Sequence, residues 1–156
     1  MAPATLQGLQ SELGRCPFHD LLQLEALRAD TELTAVRLPF RPELGLARDR
    51  QAFHGGVVAS LVDVTAHAAV ALSTGAVAPT IDLRIDYLQL AQGPYIIAEA
   101  TILRAGGSVA RADVQVKSEE GVLVACGRGT FSTRPGDGSA TAATRVAPDQ
   151  IPNGES

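Results

Sequence analysis

The chain has 156 residues, a length typical of one domain, and its 46% hydrophobic and 19% charged content is that of a soluble globular protein. A net charge of −4 without a run of Lys or Arg argues against nucleic acid or an anionic membrane as partner. Cys16 and Cys126 lack metal-binding spacing and no export signal precedes them, so we expect free thiols in the cytoplasm. No segment comes near the roughly 20 apolar residues that cross a bilayer, so we expect no membrane span.

Residues 1–31 predict a helical segment that packs on a larger body. Leucines recur at helical spacing over residues 5–30, and Pro17 divides them into two short helices because proline cannot continue a helix. Residues 32–40 alternate between two faces and stop at prolines, which predicts a strand. Residues 43–53 have no steady period, and we interpret them as a loop.

Residues 55–75 predict one long helix in the core. The segment opens with Gly55 and Gly56, closes at Gly75, and contains neither glycine nor proline between these ends. It is apolar almost all round, which is typical of a helix buried on every side. At about 30 Å it would be the longest element of the chain.

Four strand-like runs follow the helix, with turn signals such as Gly106-Gly107 between them. Short connections favour pairing of sequence neighbours, so we expect a four-strand antiparallel meander. One helix wrapped by a curved antiparallel sheet would bury the apolar helix, which predicts an α+β domain over residues 32–134. Residues 135–156 are rich in Gly, Ala, Pro, Ser and Thr, and we expect a mobile tail. The four runs are Thr80–Leu90, Tyr95–Arg104, Val109–Ser118 and Val122–Thr133.

Asp63 departs from the apolar pattern of the predicted helix. A carboxylate in such surroundings is costly unless it is paired or hydrogen-bonded. Ser60, Thr65, His67 or a backbone group would satisfy it in a structural role. A perturbed carboxylate is also a common general base or nucleophile, so both interpretations stay open.

His54, Gly55 and Gly56 stand where the helix begins, at its unpaired N–H groups and the positive end of its dipole. Glycine lets a ligand oxygen reach those N–H groups, so the segment is a candidate oxyanion hole, although a plain turn is the competing interpretation. Gly55 and Asp63 are about 12 Å apart along the helix, too far to act on one carbonyl carbon. If both are catalytic they come from two chains, which predicts a two-fold dimer with two interface sites.

Three strings carry a family resemblance: HGGVVASLVD, APTIDLRIDYLQLA and GVLVACGRGTF. Over roughly residues 33–133 the chain resembles the PaaI-type hotdog-fold acyl-CoA thioesterases. The resemblance implies a hotdog fold, an acyl-CoA substrate and at least a homodimer, with a dimer of dimers common among relatives. It implies that Gly55 polarises the thioester carbonyl, that Asp63 is nucleophile or base, and that Thr80 positions water. His54, with Gly56 beside it, is expected to shape the helix start.

Arg48 departs from that family, because many relatives have Asn or Gln six residues before the motif histidine. In those relatives the Asn or Gln contacts the catalytic water or the carbonyl. In this chain that role is vacant, is taken by Gln51, or belongs to altered chemistry. His67 lies one helical turn beyond Asp63 on the same face, where some relatives line the substrate pocket. A histidine held by the backbone is an equally good interpretation of that position.

Arg104, Arg111 and Arg128 are candidate contacts for the phosphates of CoA. The three histidines show no ligand cluster, so no metal or other cofactor is expected. Three alternatives to hydrolysis stay open. They are an enoyl-CoA hydratase or dehydratase of the same fold, a non-catalytic acyl-CoA-binding protein, and a degenerate homologue with a structural role.

Overall fold

The computed structural model describes residues 4–136, so the predicted tail lies almost entirely outside the described residues. Two short helices and a strand hairpin precede one long helix, and four further strands follow it. The elements are α1 (Leu6–Leu13), α2 (Pro17–Leu22), β1 (Glu25–Ala29), β2 (Thr34–Pro39), a 3-10 turn (Pro42–Leu44), α3 (Gly55–Thr74), β3 (Thr80–Tyr87), β4 (Tyr95–Ala105), β5 (Val109–Ser118) and β6 (Leu123–Ser132).

The six strands form one antiparallel sheet in the order β1-β2-β4-β5-β6-β3. Helix α3 packs against one face of this sheet, mainly on β4, β5 and β6, and α1 packs on both β1 and α3. The side chains that point from the sheet toward α3 are small and apolar, among them Ala98, Ala112 and Val114. The α+β prediction, with one long helix wrapped by an antiparallel sheet and short helices before it, is confirmed.

The prediction of a four-strand meander is wrong for its first strand. Strands β4, β5 and β6 do pair in sequence, but β3 pairs with β6, and β4 has β2 on its other side. Residues 88–94 do not form a tight turn between β3 and β4, because they are hydrogen-bonded to the loop before α3. The Phe53 N–H donates to the Ala91 carbonyl at 2.8 Å, and Ala52 bridges Gln92. The connection therefore carries the chain across the sheet.

The helical interpretation of residues 5–30 is wrong after residue 23. Helix α2 ends at Leu22, the next residue Gln23 has a left-handed φ of 54°, and the chain then turns into strand β1. Glu25 pairs with Arg37 of β2 in the ladder, and their side chains form an ion pair on the outer face of the sheet. Pairing with a neighbouring strand thus outweighs the helical spacing of the leucines in this segment.

Helix α3 has the bounds that its glycines predict. Gly75 ends it with a left-handed φ of 71°, and its N–H donates to the Ala71 carbonyl at 2.8 Å. The expectation that no segment comes near membrane-spanning length is wrong. By length and composition alone, α3 could cross a membrane. More than half of its most apolar stretch is buried against the rest of the chain, so α3 is a core helix.

Two glycines of β6 let α3 lie close to the sheet. A Cβ on Gly127 would come within 2.7 Å of Val62 Cγ1 and 2.9 Å of the Arg84 carbonyl oxygen. A Cβ on Gly129 would meet the ring of Phe131 and would stand 3.3 Å from another methyl group, on α3. The height of α3 above the sheet therefore depends on the absence of side chains at both positions.

Gly127→Ala should destabilise the fold by about 1–3 kcal/mol, because the new methyl group meets both a buried side chain and a backbone carbonyl that cannot move aside. Thermal unfolding should show a midpoint several degrees lower than that of the wild type. Gly107→Ala is the matched control, since a Cβ there meets nothing within 4 Å. Equal midpoints for the two variants would contradict the packing argument.

Candidate active site

Asp63 is held by Thr80 of the same chain. The Thr80 Oγ1 donates to Asp63 Oδ1 at 2.9 Å, which joins the middle of α3 to the first residue of β3. Ser60 and Thr65, the other candidate partners, instead donate to helix carbonyls at 2.9 and 2.7 Å. Asp63 is half-buried, not enclosed as the apolar pattern suggested, and its Oδ2 has no hydrogen-bond partner in residues 4–136.

The start of α3 offers one free hydrogen-bond donor. His54 Nδ1 accepts from the Gly56 N–H at 3.0 Å, so the histidine caps the helix. The His54 carbonyl accepts from the N–H groups of Val57 and Val58 at 2.9 and 3.2 Å. Within residues 4–136 the Gly55 N–H has no hydrogen-bond partner. A single donor therefore remains at the positive end of the helix dipole.

This free donor and Asp63 lie on one helix but about 12 Å apart along its axis, so they cannot contact one substrate atom within one chain. Both belong to a face of α3 that other elements leave partly open. Gly56, Ala59 and Ser60 lie on that face and are exposed or half-buried. The helix turns its remaining sides to the sheet and to α1.

Strand β3 borders this open face and ends the sheet, so one edge of its backbone has no strand partner among the described residues. Large apolar side chains cluster on β3 and just after it: Ile81 is 59% exposed, Tyr87 55%, Leu88 51% and Leu90 44%. An apolar, unpaired edge of this kind is typical of a surface that another chain covers.

His67 pairs with a carboxylate of α1. Its Nδ1 lies 3.5 Å from Glu12 Oε1, and the two side chains are 21% and 11% exposed. Burial lowers the pKa of His67, and the nearby carboxylates of Glu12 and Asp63 oppose that shift. Neither a backbone group nor Asp63 is the direct partner of this histidine.

Arg48 and Gln51 lie on the exposed loop before α3. They line an open cavity of about 930 Å³ together with Phe40 and Leu46. The lining residues of this cavity do not include Asp63, so the structure does not bring Arg48 and the carboxylate together within one chain. Nothing described pairs with the Arg48 guanidinium.

Arg104 lies far from that loop, on β4, where it stands directly opposite Arg111 of β5. Both side chains are exposed, and neither has an acidic partner in the described part of the chain. Arg128 differs, because it makes two hydrogen bonds to the Asp113 carboxylate at 2.6 and 2.9 Å. Arg104 and Arg111 therefore keep their charge free for an anion.

Tyr87 is a residue of this region that the sequence gives no reason to single out. Its hydroxyl donates to the Gly55 carbonyl at 2.8 Å. Cys16 and Cys126 are free and half-buried. Within residues 4–136 no group of three His, Cys, Asp or Glu side chains is arranged to hold a metal ion.

One long helix wrapped by a six-stranded antiparallel sheet, with a free donor at the helix start and a carboxylate at its middle, defines a hotdog-fold protein. A profile of the thioesterase superfamily matches residues 51–125. The medium/long-chain acyl-CoA thioesterase YigI of Escherichia coli is 31% identical over 130 residues, which cover 74% of this chain and 84% of YigI. The chain belongs to the thioesterase superfamily.

Solved structures agree with this assignment. A thioesterase-superfamily protein from Shewanella oneidensis is 29% identical, with a TM-score of 0.71 over 81% of this chain and 93% of its own. Zebrafish thioesterase superfamily member 2 is 26% identical, with a TM-score of 0.69 over 81% and 94%. The Escherichia coli PaaI protein, at 19% identity and a TM-score of 0.72 over 81% and 90%, shares the fold. The predicted resemblance to hotdog thioesterases is confirmed.

The half-buried His67 should make the fold less stable in acid. Because its pKa is below the usual value in the folded chain, the unfolded chain binds more protons as pH falls through that range. His67→Gln, which cannot be protonated, should therefore lose less stability than the wild type between pH 7.5 and 5.5, as measured by urea unfolding.

Glu12→Gln provides a comparison of opposite sign. It removes a carboxylate that favours the protonated ring, so its loss of stability over the same pH range should exceed that of the wild type. Equal losses in the wild type and His67→Gln would contradict this account.

Proposed function

We propose that this chain hydrolyses an acyl-CoA thioester to a free acid and CoA. The observation that carries the proposal is the unpaired Gly55 N–H at the positive end of α3, on a helix that also presents a Thr80-bonded carboxylate. Membership of the thioesterase superfamily and the similarity to YigI, whose name specifies medium- and long-chain acyl-CoA, support it. Aryl-CoA thioesters belong in the same assay panel.

In the proposed reaction, the Gly55 N–H donates to the thioester carbonyl oxygen and stabilises the negative charge that develops there. Asp63 of a second chain takes a proton from water, whose oxygen adds to the carbonyl carbon. The carbon–sulfur bond then breaks, and the CoA thiolate receives the proton. In the other version the carboxylate attacks first, and water opens the mixed anhydride. Thr80 occupies one Asp63 oxygen and leaves the other for either step.

A two-fold dimer is part of this proposal. Two α3 helices that pack antiparallel through their open faces would bring Gly55 of each chain beside Asp63 of the other. The small residues Gly56, Ala59 and Ser60 on that face allow close approach. The exposed edge of β3 and its apolar side chains would be covered in the same contact.

We assign the phosphates of CoA to Arg104 and Arg111. Like charges directly opposite each other destabilise a sheet, so an unpaired arginine pair suits a polyanion. The pair also lies at the end of the sheet where β3 begins. Thr80 pairs with Phe131, and Phe131 pairs with Ala110, so Ala110 is two strands, or about 10 Å, from the start of β3. Arg111 follows Ala110 and presents its exposed side chain on the opposite, outer face of the sheet.

A hydratase of the same fold is the second candidate, since the His67–Glu12 pair combines a histidine with an acid. Against it, both side chains are mostly enclosed between α1 and α3, where a substrate carbon has little access. Addition of water to an enoyl-CoA, measured as a loss of the absorbance of the enoyl group, would favour the hydratase. Binding of acyl-CoA without turnover would favour a binding protein or a structural homologue.

Association into a dimer of dimers is also proposed, and the exposed Phe18 and Leu21 of α2 offer a second apolar surface for it. Cys16 and Cys126 are free thiols, which supports the cytoplasm as the location. We propose neither nucleic acid nor a membrane as a partner, because the net charge of −4 disfavours binding to a polyanionic surface.

Asp63→Asn should lower kcat about 10²–10⁴-fold, the range for loss of a positioned base, without changing the dimer. Gly55→Pro should also lower kcat strongly. Proline is tolerated at the first position of a helix, where it removes the N–H and adds its ring carbons, so the fold should persist. Release of free CoA from a panel of acyl- and aryl-CoA substrates measures both effects.

Mixing the two variants tests whether each site takes residues from two chains. A mixed dimer of Asp63→Asn and Gly55→Pro has one site with both groups intact, so random exchange should restore about a quarter of wild-type activity. If donor and acid acted within one chain, the mixture would stay as inactive as its components. Full activity of a wild-type monomer would also refute the shared site.

Arg104→Gln combined with Arg111→Gln should raise KM for acyl-CoA by about tenfold or more, because charge-assisted hydrogen bonds to phosphate are lost, while kcat stays the same. KM should also depend less on salt concentration than in the wild type. Arg28→Gln is the control for the loss of a surface arginine, since it removes one positive charge from the β1–β2 hairpin, where Arg28 pairs with Asp30. Equal KM values in the double variant and the control would remove the phosphate assignment.

A further inference from the structure

We infer that Tyr87 is a positioning residue that holds the backbone of Gly55 at its carbonyl, and thereby limits how far the adjoining N–H can turn away from the substrate carbonyl. The inference rests on the proposed function and assigns a role to a residue outside the acid, the donor and the histidine cap. Its basis is the hydrogen bond from the Tyr87 hydroxyl to the Gly55 carbonyl at 2.8 Å.

The ring of Tyr87 also lies alongside Gly55. A Cβ added to that glycine would stand 3.7 Å from Cε1, Cζ and the hydroxyl oxygen of the tyrosine, which is ordinary van der Waals distance. The tyrosine therefore occupies one side of the glycine and leaves its N–H open. No other side chain of the described residues donates a hydrogen bond to the Gly55 carbonyl.

Strand β3 is bonded to α3 at two points because of an irregularity in its register. Thr80 pairs with Phe131, but the register shifts before Asp82, and Tyr87 pairs with Ala125. Phe131 and Ala125 both face the helix and are buried, so Thr80 and Tyr87 lie on the helix side of the sheet. A strand with strict alternation would turn residues seven apart to opposite faces.

The two bonds act on the two groups of the proposed chemistry. Thr80 bonds the Asp63 carboxylate, and Tyr87 bonds the residue whose N–H is the donor. Gly55 lacks a Cβ and is the first residue of the helix, so its own backbone restrains φ and ψ weakly. The hydrogen bond to its carbonyl restrains the Gly55–Gly56 peptide, which is joined at the Gly55 Cα to the peptide that carries the N–H. A preorganised donor stabilises the oxyanion more than a mobile one.

Stability of the fold does not explain this bond. The Tyr87 side chain is 55% exposed on an edge strand, and α3 is already capped by His54 and packed on the sheet. Loss of an exposed hydroxyl costs little unfolding free energy. The effect of the hydroxyl should therefore be seen in turnover.

The test is Tyr87→Phe, which keeps the ring and removes only the hydroxyl. We expect kcat to fall about tenfold, KM to stay within about twofold, and dimer mass and unfolding midpoint to match the wild type. Tyr95→Phe is the matched control. It removes the other tyrosyl hydroxyl of the chain, which lies on β4 beside Arg37 and makes no hydrogen bond in the described residues.

A second measurement separates positioning from a structural role. In a Gly55→Pro background the donor is absent, so Tyr87→Phe should have no further effect on kcat. Independent, multiplicative losses in the double variant would overturn the inference, as would an unchanged kcat in Tyr87→Phe alone or a kcat loss matched by a lower unfolding midpoint. A wild type that hydrolyses no thioester would instead defeat the proposed function.

Discussion

The close contact between α3 and β6 is the constraint on which the rest of the structure depends. Gly127 and Gly129 let the helix settle within side-chain distance of the sheet, where Val62 and Ala66 fill the space that larger residues would take. At that height the carboxylate of α3 is within reach of the strand next to β6. If the helix lay farther from the sheet, the Thr80–Asp63 bond at its middle and the Tyr87–Gly55 bond at its start would both be lost, because both depend on the same packing.

The helix supplies two chemically different groups from one rigid body. Its first turn offers an N–H at the positive end of the dipole, and its middle offers a carboxylate held by Thr80. The distance between them follows from helix geometry and cannot be shortened by side-chain motion. This separation is why the proposed chemistry needs two copies of the chain.

The sequence predicted the parts of the fold that depend on local signals. Glycines without breakers between them mark α3 correctly, and β5 has the predicted bounds Val109–Ser118. The pairing of strands is less predictable from local signals, because the partner of β3 depends on the connection across the sheet and on long-range contacts with β6. The segment Glu25–Ala29 has leucine spacing that suits a helix, and it forms a strand because it pairs with its neighbour β2. Asp63 stood out against its apolar neighbours, whereas Tyr87 reaches α3 through a register shift that strict alternation hides.

The pairing of β3 with β6 also has a consequence for how the chain folds. Thr80 meets Phe131 only after about 50 further residues have been made, so closing this part of the sheet is a non-local and slow step. During synthesis α3 and β3 wait without the strand that covers them, and their apolar surfaces are open to aggregation until β6 leaves the ribosome. Strand β6, the last strand of residues 4–136 to emerge, thus completes the core and pairs with the strand that carries Thr80 and Tyr87.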